Sequence, residues 1–86
     1  MSHRVEVWAM DRAGEGANIH SWDDTTIQPR VGEWIITEVG KNGSLVEAPI
    51  TRVAYNFAEA TVEVHIADEV YRRELAKITQ FDERVK

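Results

Sequence analysis

The sequence contains no cysteine, so neither a disulfide staple nor a thiolate metal site can form, which suits a reducing compartment. No apolar run approaches the roughly 18 residues of a membrane-spanning helix. Met1-Ser2-His3-Arg4 leads straight into an alternating segment without the apolar centre of a signal peptide. The expectation is a cytoplasmic chain with no membrane partner. Basic residues are scarce: ten Lys and Arg stand against fifteen Asp and Glu, for a formal charge of −5. That balance repels a phosphate backbone and leaves no basic stripe, so no nucleic-acid partner is expected. It is also too mild for a decoy that mimics DNA.

Catalytic signatures are missing as well. Gly14-x-Gly16 begins like a dinucleotide fingerprint, but Ile19 stands where the third glycine belongs and no helix follows. The chain has no P-loop, nucleophile elbow or helical His-Glu-x-x-His. Internal repeats, low-complexity stretches and long blocks of one charge are absent too.

What is present is 86 residues, 43% of them hydrophobic, enough for one small β-rich domain over residues 1–86. It is organised around a meander of three strands, residues 32–67. Glu33 to Val39 is β-branched and aromatic, and Lys41-Asn42-Gly43-Ser44 supplies the Asn-Gly turn of a hairpin. Leu45 to Ala48 and Ile50 to Phe57 follow. Pro49, unable to donate to a ladder, predicts an edge position, a bulge or a sharp bend. After a turn near Ala58-Glu59-Ala60, Val62, Val64 and Ile66 alternate with Thr61, Glu63 and His65, which predicts one buried and one wet face.

Upstream, His3 to Met10 reads as a strand with Val5, Val7 and Ala9 in one row and Trp8 and Met10 in the other. Residues 11–31 show little periodicity and read as one long loop anchored by Ile19, Trp22 and Ile27, with Thr25-Thr26-Ile27 as a short extra strand. Downstream, Asp68 as N-cap, Glu69 in the first turn and the stripe Tyr71, Leu75 and Ile78 predict a helix over about 68–80. The rival is a final strand through Ile78 to Phe81. Residues 82–86 are expected to fray.

The fold class is therefore mainly β: a small, strongly bent antiparallel sheet or barrel of four to five strands with a C-terminal helix. In strand order and long first loop it resembles the Src-homology-3-type and Sm-type small barrels. It departs from the former in lacking the peptide-binding tyrosines and a tryptophan pair after the hairpin. Such a resemblance implies a fold and little about function.

Three candidate functions follow. The first is a non-catalytic module that binds a protein partner through residues 11–31. Trp22, Asp23, Asp24 and Glu15 would make the contact, with Trp8 as a further aromatic; against it, Trp22 folds inward and plugs the barrel. The second is a self-associating subunit, a homodimer for example, with Trp8 and Met10 in the interface and the C-terminal helix as a further candidate. The third is a metal-dependent enzyme on His20, Asp23 and Asp24, the one place where imidazole and carboxylates crowd together; their spacing matches no metal signature, and turn capping by Asp23 or Asp24 explains them as well. No cofactor and no catalytic residue is otherwise expected. His65 reads as a surface histidine, His3 as mobile, Glu33, Glu38, Glu47 and Glu63 as outward strand positions, and Trp34 as core or rim.

Overall fold

Five strands and one helix form in chain order: β1 (His3–Met10), β2 (Gly16–Thr25), β3 (Trp34–Val39), β4 (Ser44–Asn56), β5 (Thr61–Ala67) and α1 (Asp68–Val85). They are seen in a computed structural model that describes residues 3–39 and 44–85, and the side chains there except those of Asp24, Val39 and residues 79–85. The hairpin turn at Lys41-Asn42-Gly43 lies outside the described residues, although the Val39–Ser44 pair that flanks it is in place. Pairing joins the strands in the order β2-β1-β5-β4-β3. All neighbours are antiparallel except β1 and β5, which run parallel with Arg4 opposite Thr61 through Met10 opposite Ala67. The mainly β class with a C-terminal helix is therefore correct, but the sheet is mixed and curls into an open half-barrel, with β2 and β3 as its edges.

The concave face is the core. Val5, Val7 and Ala9 from β1, Ala48 and Ile50 from β4, and Val62, Val64 and Ile66 from β5 form one buried cluster, with Val46 and Thr37 buried as well. The alternating rows of β1 and β5 thus fall on the face the sequence predicts. Fully burying each such valine or isoleucine contributes about 1.5–3 kcal/mol relative to leaving it exposed. Val70 and Tyr71 of α1 pack against this cluster. The helix begins at Asp68 as expected, and Arg72 Nε donates to Asp68 Oδ2 at 2.6 Å one turn on. That hydrogen bond, together with the carboxylate's charge, raises the guanidinium pKa above its ordinary value. The helix continues to Val85, so the final strand at 78–81 is not present.

Several expectations are corrected. Residues 11–31 are not one long loop, because ten of them form β2. The extra strand at Thr25–Ile27 is absent: β2 ends at Thr25, whose Oγ1 accepts from the Ile27 N–H at 3.2 Å. Ile27 is no anchor, being 71% exposed. His65 is buried, since β5 is the central strand and both its faces are largely covered; its ring lies 3.3 Å from Glu63 Oε1. Glu63 is accordingly half-buried. His3 is held in β1 and donates from Nε2 to the Ile27 carbonyl at 2.9 Å. The irregularity expected at Pro49 falls two residues later. Ile50 opposes Ile66 and Arg52 opposes His65, which leaves Thr51 as the extra residue of a bulge.

Candidate functional site

The half-barrel leaves its two edges facing one another across an apolar cleft of about 540 Å3. Val5 and Ile50 form its floor, Trp22 and Thr25 of β2 one wall, and Trp34, Ile35 and Ile36 of β3 the other. Ile27 and Pro29 of the connecting segment close one end, and Asp23 and Glu33 stand at the rim. A volume of this size lies within the range of ordinary ligand sites, and an apolar lining with few polar groups is their usual chemistry.

Trp22 reaches the cleft through the β1–β2 register. It lies opposite Val5, on the core face, and packs half-buried against the cluster. His20, opposite Val7, shares that face, its ring centroid 4.5 Å from that of Trp22. Trp22 therefore folds inward, as the plug reading holds, yet stays accessible from the cleft.

The other sequence candidates do not gather around it. Asp23 turns to the convex face, where Arg4 Nη1 lies 3.3 Å from its Oδ1 and its side chain is 74% exposed. His20 and Asp23 thus point to opposite faces, so the proposed metal set is not assembled. The Asp24 side chain lies outside the described residues, and among the described residues no group of three or more His, Cys, Asp or Glu side chains is placed to hold a metal ion. Glu15 precedes the far end of β2, seven residues from Trp22, or about 23 Å at a strand's rise. Trp8 lies on the convex face between His65 and Asn18, half-buried, with Nε1 donating to Glu6 Oε1 at 3.4 Å. Met10 is half-buried beyond it.

Apolar surface is also left uncovered on the outer face of β3, and a second exposed pair, Tyr55 and Phe57, stacks at the end of β4. Trp34 is 65% exposed, contrary to the core or rim position expected for it, and Ile36 and Leu45 are 55% and 57% exposed. The β3–β4 register explains this. Ile35 opposite Ala48 and Thr37 opposite Val46 take the core face, which turns Trp34, Ile36 and Glu38 outward beside Pro49, Glu47 and Leu45. A signal existed in the sequence: Trp34-Ile35-Ile36 is apolar on both faces of a strand, and a small sheet has only one core.

Comparison with protein-family models, with curated proteins and with solved structures finds no match to this chain, so the site is read from its geometry alone.

Proposed function

We propose that this chain is a small non-catalytic binding module whose cleft between β2 and β3 receives an extended segment of a protein partner. One observation carries the reading: among the described residues, Ile27, Val31, Trp34 and Ile36, four of the seven large apolar side chains left uncovered, lie on β3 or the segment leading into it, and β3 is an edge with no further strand partner there. Exposed apolar surface beside an open edge is the recurring arrangement for strand-wise peptide capture. Such capture draws affinity from main-chain hydrogen bonds and selectivity from alternate side-chain positions. The site retains Trp22 from the sequence reading, with Asp23 only at its rim, and adds Trp34, Ile36 and Ile27. The lack of cysteine suits work in the cytoplasm.

Selection from a library of displayed random peptides tests this. The native chain is expected to enrich a related set of sequences. Trp22→Ala with Asp23→Ala should lose that enrichment while circular dichroism shows the fold retained. Trp34→Ala, at an exposed position whose loss leaves the core intact, should lose most of it too. Enrichment of nothing, or enrichment unchanged in both variants, contradicts the proposal.

A further inference from the structure

Building on the cleft as a peptide site, we infer that the occupant adds as a strand to the free edge of β3 and alternates apolar with basic residues. The backbone sets the first half of this. The Ile50 N–H donates to the Glu33 carbonyl at 2.8 Å and its own carbonyl accepts from Gly32 at 3.0 Å, so the polar groups of Ile50 face β3. Alternation along an antiparallel pair then turns Val46 and Ala48 toward β3 to meet Thr37 and Ile35. The N–H groups of Trp34, Ile36 and Glu38 face away from β4. No strand pairs with that edge among the described residues.

The β2 edge is different. Two register shifts interrupt it, one leaving Ile19 as an extra residue and one setting Asp23 and Asp24 against Arg4 alone. Bulges twist an edge and blunt it against further pairing. β3 keeps an unbroken register over all six of its pairs.

Charge supplies the second half. Glu33, Glu38 and Glu47 make no ion pair among the described residues, and β3 and the facing part of β4, Ser44–Ile50, contain no Lys or Arg. On an added strand, one row of side chains enters the cleft beside Ile35 and Trp22, where apolar groups fit. The other row lies on the outer face beside Trp34, Ile36, Glu38 and Glu47. Arginine suits that row, because its stem covers apolar surface while its guanidinium stacks on an indole and pairs with a carboxylate. A second copy of this chain fits poorly: pairing β3 with its own symmetry mate doubles the same three carboxylates at one seam and brings no cation from β3 or Ser44–Ile50.

The probes are a peptide of about eight residues, a usual strand length, alternating arginine and valine, and its counterpart with glutamate for arginine. Both are titrated into the isotope-labelled chain and followed by amide shifts and amide exchange. The arginine peptide is expected to shift β3 resonances, slow exchange at Trp34 and Ile36, and weaken with added salt. Ile36→Pro removes an outward N–H along with the exposed side chain. It should cut affinity at least tenfold with the fold intact, well beyond the loss from Ile36→Ala, which removes the side chain alone. Glu38→Lys with Glu47→Lys should favour the glutamate peptide by a similar factor. Binding whose shifts stay at Trp22 and Ile27, without protection at β3, overturns edge addition and leaves the cleft reading standing. Equal affinity for both peptides, or binding of neither, overturns the basic specificity. Protection of Trp34 and Ile36 by dimerisation in the absence of peptide overturns the inference in favour of a second copy.

Discussion

Asp11 holds the β1–β2 connection with a single carboxylate. Its Oδ1 accepts the N–H groups of both Ala13 and Glu15 at 2.9 Å, while its own backbone bonds Glu15 at 2.8 Å and Gly14 at 3.2 Å. Asp11→Ala removes the one acceptor of two hydrogen bonds in a short turn and should cost about 1 kcal/mol. In a chain of this size that lowers the melting temperature by roughly 4–8 °C, readable by calorimetry. Gly16 is fixed for another reason. A Cβ there would run into Met10 Sδ and lie 2.7 Å from the Ala9 carbonyl, so the hairpin admits no side chain at that point. Ala60 shows the reverse case, a residue with φ of +52° where glycine would be at ease. Ala60→Gly should relieve that strain, less the entropy glycine loses on folding, for a net gain of about 0.5 kcal/mol. A fall in thermal stability would show that Ala60 contributes packing instead.

At the level of elements, the central strand and the edge strand should respond differently to the same truncation. Ile66 on β5 is fully buried, so Ile66→Ala should cost about 3 kcal/mol in urea unfolding. Ile36→Ala, on the exposed face of β3, should cost less than about 1 kcal/mol. Equal losses would mean that the outer face of β3 is covered in solution. The same contrast explains what the sequence made legible. β1 and β5 keep strict alternation, so the rows Val5-Val7-Ala9 and Val62-Val64-Ile66 could be placed on the core face by period alone. β2 could not. Its bulge at Ile19 breaks the phase, leaving core-facing Ile19 and Trp22 three residues apart, which no period-2 template detects. The bulge at Thr51 likewise brings Ile50 and Val53 to one face although their spacing is odd. The wet face assigned to His65 was wrong because strand order is not local information. Nothing in residues 61–67 says that a parallel β1 will lie beside them. The site was legible only in part for the same reason: Trp22 was found from its type, whereas Trp34 and Ile36 become a site only once β3 is an edge.

At the scale of the molecule, openness is the property that matters. The radius of gyration is 13.7 Å, above the roughly 12 Å of a compact domain this long, and the extents are 45 × 29 × 20 Å. An edge with three outward N–H groups and an uncovered apolar row is one that folded chains normally protect. The account therefore stands on β3 being unpaired in the free chain. Amide hydrogen exchange of the isolated protein at low concentration tests that claim most directly. It predicts fast exchange at Trp34, Ile36 and Glu38 and slow exchange at Ile35 and Thr37, alternating along one strand. Uniform protection from Trp34 to Glu38 would show the edge already occupied and would contradict it.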